Sequence, residues 1–214
     1  MSERHPNPLE PRWLLWAREL QAIAQNGLHY SAAGFDRQRY EAVQRIAADM
    51  FAAQSGTDTR RILDLFKEQI GHATPKVDVR GAVFRDGRIL LVREKRDRLW
   101  TLPGGWADPN EMPSEAVTRE ILEEAGYRTR AVKLAAVHDR IRQGPMPPYP
   151  YHVYKLFFLC QLLDGAPVEN IETDAAEFFS EDGIPPLSIP RVNEKQIARL
   201  FEHHRRHELP ADFD

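Results

Sequence analysis

The chain has 214 residues, 42% hydrophobic and 29% charged, with a formal net charge of −3. That composition describes an ordinary globular protein with enough length for one large domain or two small ones. The charge balance excludes a global basic field that would recruit nucleic acid, and no apolar run reaches membrane-spanning length. The single cysteine, Cys160, excludes an internal disulfide and fits a reducing compartment such as the cytoplasm. It lies in the apolar run 154–162 and reads as a small core residue. The first six residues are polar, with no apolar segment of the kind that directs secretion.

Three helices are expected before residue 75. Trp13, Leu14, Ala17, Leu20, Gln21, Ile23 and Ala24 form a helical stripe, and Asn26-Gly27 is a stop signal. Asp36 is placed to cap a second helix, with Tyr40, Val43, Ile46, Ala47, Met50 and Phe51 at core spacing. Thr57 or Asp58 is placed to cap a third, with Ile62, Leu63, Leu65, Phe66 and Ile70 inward and an end at Gly71. Nine Lys/Arg and nine Asp/Glu balance through Pro75, which favours helix packing or dimerisation over reading of DNA. Gly71-His72-Ala73-Thr74-Pro75 is the candidate boundary, giving a helical domain over 1–74 and a second domain over 75–214.

Beyond the boundary the periodicity becomes strand-like. Val77–Phe84 and Arg88–Val92 flank Asp86-Gly87, a hairpin signal. Trp100-Thr101-Leu102 is a short strand leading into Pro103-Gly104-Gly105. A helix is expected over roughly 113–125, with Pro113 at its first position, Gly126 as its cap, and Met112 as a poor N-cap. Strands follow at about 128–140 and 151–163, separated by the proline-rich loop 144–150. Asn193 caps a last helix through about His207.

The helix over 113–125 carries the chemistry. Glu120, Glu123 and Glu124 stand at i, i+3 and i+4 and share one face. Val117, Thr118, Ile121, Leu122 and Ala125 fall on the other, suited to packing on a sheet. A solvated acidic face is the plain alternative. The glycines before the helix favour a site, because Gly104 and Gly105 let backbone approach an ion or phosphate closely. Three clustered carboxylates call for a hard divalent cation, Mg²⁺ or Mn²⁺. Arg119 is placed to pair with Glu111 or Glu123.

From Gly105 to Tyr127 the residues run glycine, five residues, Glu111, seven residues, then Arg119-Glu120-Ile121-Leu122-Glu123-Glu124-Ala125-Gly126-Tyr127. This 23-residue pattern resembles the Nudix hydrolase signature at every defined position. The likeness implies an α/β/α sandwich around a mixed sheet, preceded here by the small all-helical segment. It also implies Mg²⁺- or Mn²⁺-dependent hydrolysis of a nucleoside diphosphate linked to another moiety. Glu120, Glu123, Glu124 and the Gly104 carbonyl become the expected metal ligands. Glu120 or Glu123 is an expected base, and Glu177 resembles a later family acid that adds a ligand or base, with an exposed strand-edge glutamate as the alternative.

The segment around Trp13–Leu28 and Phe35–Glu41 resembles the helical extension of a subgroup that includes CDP-choline and ADP-ribose pyrophosphatases. That likeness implies a homodimer and makes CDP-choline or ADP-ribose the expected substrate. Tyr149, Tyr151 and Tyr154, with His152, are candidates for a base-stacking wall. Arg98, with Arg93, Lys95 and Arg96, is a candidate phosphate contact or simply part of a charged loop. His203, His204 and His207 have metal-like spacing but read better as solvated. A non-catalytic ADP-ribose or nucleotide sensor and an RNA-end hydrolase are the competing functions. The complete signature and the charge-balanced helices weigh against them.

Overall fold

A computed structural model describes residues 11–31, 34–144 and 147–214. The polar stretch Met1–Pro6, and Pro145 and Met146 of the proline-rich loop, lie outside the described residues. By compactness the chain forms two units, one of the residues through Lys76 with Ile141–His152, the other of Val77–Arg140 with Val153–Asp214. Among the described residues no helix is long and apolar enough to cross a membrane.

The first unit is built from α1 (Arg12–Tyr30), α2 (Gly34–Ser55) and α3 (Thr59–Lys67). Leu14 and Ala17 meet Ala47, Ala48, Phe51 and Ala52 of α2 and Ile62 and Phe66 of α3. The run of alanines lets the helix backbones approach closely, and Trp13 fills the edge of that core against Phe51 at 5.8 Å.

Several helix limits differ from the sequence expectation. Asn26-Gly27 does not stop α1, because a Cβ at Gly27 would lie 2.3 Å from the Tyr40 ring. The glycine is there for a close approach, and Asn26 instead accepts the Ala73 N–H at 2.7 Å. Asp36 sits in the first turn of α2 rather than at its cap and pairs with Arg39 at 2.8 Å. Asp58 does cap α3, accepting from the Arg61 N–H. That helix ends at Lys67, not Gly71, and Ile70, expected in the core, is 89% exposed. Ile23 and Ile46 are also exposed.

In the second unit β1 (Lys76–Arg85) and β2 (Arg88–Glu94) form the expected hairpin, with Asp86 and Gly87 both at positive φ. Then come β3 (Trp100–Thr101), α4 (Pro113–Ala125), β4 (Tyr127–Asp139), β5 (Val153–Gly165), β6 (Thr173–Phe179), α5 (Glu194–Arg205) and β7 (Asp212–Phe213). The sheet runs β3-β2-β1-β5-β4-β7, with β6 on β2. It is mixed: β4 pairs β5 antiparallel and β7 parallel.

Alternation along the strands loads both faces. Val79, Val83, Leu90 and Val92 pack under Ala116, Val117, Ile121 and Ala125 of α4. Ala82, Ile89, Leu91, Phe157 and Leu159 pack under Ile197, Leu200 and Phe201 of α5. Cys160 belongs to the α4 side, where burial pushes its thiol up to about 12.

Met112 supplies no side-chain acceptor to α4, but Glu115 reaches back to the Met112 N–H at 3.1 Å, so half of a capping box remains. The last helix ends at Arg205, short of His207. His203, expected to be solvated, is fully buried, because Asp212 of β7 holds its Nε2 at 3.0 Å and Lys133 stands 3.0 Å from its Nδ1. His204 stacks on Phe84 at 3.9 Å.

Gly81 leaves room for the Ile121 side chain of α4, since a Cβ there would meet it at 2.5 Å. Gly81→Ala is therefore expected to cost about 1–3 kcal/mol by overpacking, measured as a lower urea midpoint at unchanged slope.

Candidate active site

The glycine turn is laid against β1 by backbone pairing. Gly81 N–H donates to Pro103 O at 2.9 Å, Val79 N–H to Gly105 O at 2.8 Å, and Ala107 N–H to Val77 O at 3.1 Å. Gly104 lies between, at φ +143°, and a Cβ there would meet Val79 O at 2.0 Å. Only glycine fits. The carbonyls on either side are taken by β1, while that of Gly104 accepts no hydrogen bond among the described residues.

A buried ion pair supports this turn from beneath. Arg80 grips Asp78 through two bonds of 2.8 Å and donates to Leu102 O at 3.2 Å. Burial pushes the Asp78 carboxyl up, but Arg80, Lys155 and Arg140 outweigh it and hold it below its ordinary value. Lys155 is buried beside them and burial pushes its ammonium down to about 7. None of these residues stood out in the sequence. The only signal was two charges at i, i+2 inside the otherwise apolar run 77–84.

The box helix presents its carboxylates to the turn. Glu124 is 6% exposed and accepts the Gly104 N–H at 2.8 Å. Burial pushes its carboxyl up to about 8 despite the opposing charge of Arg80. Glu120 lies under Gly105, where a Cβ would come within 3.0 Å of its carboxylate, and burial raises it too. Glu123 is the most exposed of the three.

Arg119 organises the rest. Its Nε and Nη2 bind Glu111 at 2.7 and 3.0 Å, a two-pronged pair that holds Glu111 below its ordinary value. Its Nη1 alone serves both Glu120 at 2.9 Å and Glu123 at 3.0 Å. The expected partners Glu111 and Glu123 are thus both engaged, and Glu120 with them. The C-terminal end of the helix is closed by residues the sequence did not single out. Asn170 Nδ2 donates to the Glu123 and Glu124 carbonyls, and Thr173 Oγ1 donates to Glu124 O at 2.7 Å.

Among the described residues no three acidic, histidine or cysteine side chains converge into a preformed cation cage. The reason is visible: Arg119 holds Glu120 and Glu123, and the Gly104 N–H holds Glu124. The donor set nevertheless suits a hard divalent cation, with three carboxylates, a carbonyl lacking a donor, and a buried carboxyl whose ionisation a cation would favour.

The other expected site residues each have their own surroundings. Glu177 is exposed on β6 opposite Leu91 and makes no bond with the glutamates of α4. Arg98, at a turn with φ +62°, is paired with Asp174, which also takes Arg93 at 2.7 Å. Tyr149 and Tyr151 belong to the helical unit, stacked edge-on at 5.6 Å. Arg18 of α1 donates to Tyr149 O, and the Tyr151 hydroxyl donates to Leu65 O. Tyr154 is on β5 opposite Asp139.

Residues 74–200 match the NUDIX domain model, and residues 11–66 match a model described as UDP-X-like, N-terminal oligomerisation domain. A Bacillus subtilis (strain 168) protein named "Putative ADP-ribose pyrophosphatase YjhB" is 45% identical over 96% of this chain and 99% of its own. The crystal structure of a UDP-X diphosphatase is 32% identical, covers 95% of this chain and 98% of its own, and superposes with a TM-score of 0.62. An ADP-ribose pyrophosphatase from Streptococcus suis 89-1591 is 40% identical over 66% of this chain and all of its own, with a TM-score of 0.61.

The Glu124 carboxyl gives a pH test. With its folded value raised to about 8, its contribution to stability is present below the unfolded value and is lost as pH rises toward 8. Glu124→Gln keeps an acceptor for Gly104 and removes that loss. In EDTA, the melting temperature of the variant relative to wild type is expected to climb between pH 5 and pH 8. A difference flat across that range would contradict the buried, protonated carboxyl.

Proposed function

The chain belongs to the Nudix family of pyrophosphohydrolases, and from that premise we propose that it hydrolyses the pyrophosphate bond of a nucleoside diphosphate linked to a second moiety. ADP-ribose and UDP-linked compounds lead as substrates, because relatives that match nearly the whole chain carry those names. CDP-choline is a third candidate. The observation that carries the reading is the Arg119-centred cluster of Glu111, Glu120 and Glu123 beside the Gly104 carbonyl.

Glu120, Glu123, Glu124 and the Gly104 carbonyl would hold Mg²⁺ or Mn²⁺. When bound, such ions neutralise the diphosphate and stabilise charge on the leaving phosphate. The chain's own part is positional and acid–base. Water attacks phosphorus, the P–O bond to the leaving phosphate breaks, and Glu120 or Glu123 accepts the proton of the attacking water. Arg119, anchored by Glu111, orients both carboxylates. Glu124 fixes the turn through the Gly104 N–H.

Glu123→Gln is expected to reduce turnover of ADP-ribose about 10²–10⁴-fold with an unchanged melting temperature. The assay is a panel of ADP-ribose, UDP-glucose and CDP-choline with products identified by chromatography, which also assigns the phosphorus attacked. Full activity in that variant would remove the proposed site.

The helical unit is proposed to join two copies of the chain, in line with the oligomerisation model it matches. Trp16, Ile23 and Tyr30 recur every seven residues on α1 and are 48%, 50% and 68% exposed, while Phe35 and Ile46 are exposed on α2. An apolar stripe of this kind is what a helical interface buries. Ile23→Glu is expected to shift the sedimentation coefficient from dimer to monomer. A wild-type monomer at micromolar concentration would contradict the assembly.

A further inference from the structure

We propose that the helical unit carries a second small-molecule site, one that takes a nucleoside monophosphate. A cavity of about 570 Å³ opens between the end of α1, the first half of α2 and the end of α3 with the turn after it. That volume falls in the range of small-ligand sites, roughly 300–1,000 Å³.

Three features of its wall define the ligand. The first is Gln44, which lines the cavity and is only 4% exposed. Its amide makes no hydrogen bond among the described residues. The amide is reached from the cavity, so a ligand there can take the hydrogen bonds that the protein does not supply. The second is charge. Arg37 is neutralised by Glu41 at 3.2 Å, but Arg45 and Lys67, also in the wall, have no ion-pair partner among the described residues. Two unpaired cations suit a phosphate. The third is the apolar part contributed by Leu28, Leu63 and Ile70. Ile70, at 89% exposure, is otherwise an unexplained isoleucine in water. An anion, a hydrogen-bonding edge and a flat apolar surface together describe a mononucleotide.

The cavity is distinct from the face proposed for assembly. At 100° per residue, Gln25 and Leu28 project roughly 120–180° away from the Trp16, Ile23 and Tyr30 stripe. Burial of that stripe by a second copy leaves the cavity wall of α1 uncovered. The glutamates of α4 contribute nothing to it.

The test is calorimetric titration of the full chain with AMP and with inorganic phosphate, in EDTA to suppress cation-supported binding at the hydrolase site. AMP is expected to bind wild type and Glu123→Gln alike, and phosphate more weakly. The doubly charge-reversed variant Arg45→Glu, Lys67→Glu is expected to weaken AMP at least about tenfold. Both residues are exposed, so its fold is expected to persist. Circular dichroism checks this, and the single alanine variants replace it if it fails. Gln44→Leu is expected to weaken AMP but not phosphate. No AMP binding by wild type up to about 10 mM overturns the proposal. So does loss of binding in Glu123→Gln with retention in the charge-reversed variant, which would put the nucleotide at the hydrolase site. A change of sedimentation coefficient in the charge-reversed variant, without a change in AMP affinity, would make the cavity an interface and overturn it too. None of these outcomes depends on turnover, so the pyrophosphohydrolase reading stands or falls separately.

Discussion

Carboxylates gathered on one helix face repel each other, and a guanidinium set among them removes that repulsion. Arg119 does so asymmetrically. Two of its nitrogens bind Glu111, one of them also reaching Trp106 O at 3.4 Å, and the third is divided between Glu120 and Glu123. A fork against one carboxylate is geometrically exclusive, whereas one nitrogen shared by two acceptors is an easy bond to exchange. The arrangement keeps the acidic face ordered while leaving Glu120 and Glu123 available to a competing cation. Glu124 is restrained differently, by burial and a backbone N–H.

The turn opposite the helix is fixed by separate means. β1 takes the carbonyls of Pro103 and Gly105 and leaves that of Gly104. Arg80, tied to Asp78, adds a bond to Leu102 O from the α5 side of the sheet. Such a buried pair is costly to desolvate and is poor evidence of stability in itself. Its value here is geometric, because it restricts where the preceding strand can place Gly104. Asn170 and Thr173 perform the same service for the end of the box helix. The candidate site is thus held on a strand, a helix terminus and a sheet edge, which are rigid supports for groups that must be placed accurately.

Much of this was legible in the sequence, for physical reasons. Glutamates at i, i+3 and i+4 must share a face whatever surrounds them. Asp86-Gly87 closes a hairpin through local backbone preference, and Asp58 caps α3 through its own side chain. What failed to show depends on partners distant in sequence. Gly27 has the residue type of a helix stop, but the Tyr40 ring decides its role. Ile70 has core spacing, but α3 ends before reaching it. His203 looks solvated on a polar terminal turn until Asp212 and Lys133 arrive from other strands. The bonds of Arg18 to Tyr149 O and of the Tyr151 hydroxyl to Leu65 O join residues far apart in the chain, which no local pattern announces. Asp78 and Arg80 look like any exposed alternating pair until the strand is known to be central.

The central claim is that Arg119 yields Glu120 and Glu123 to a divalent cation while keeping Glu111. Anomalous diffraction from crystals grown with Mn²⁺ tests it directly. The account predicts manganese within coordination distance of Glu120, Glu123, Glu124 and the Gly104 carbonyl, with the Arg119–Glu111 fork intact and the Nη1 contacts lengthened. Manganese bound elsewhere, or Arg119 still holding both glutamates with the ion present, would contradict it.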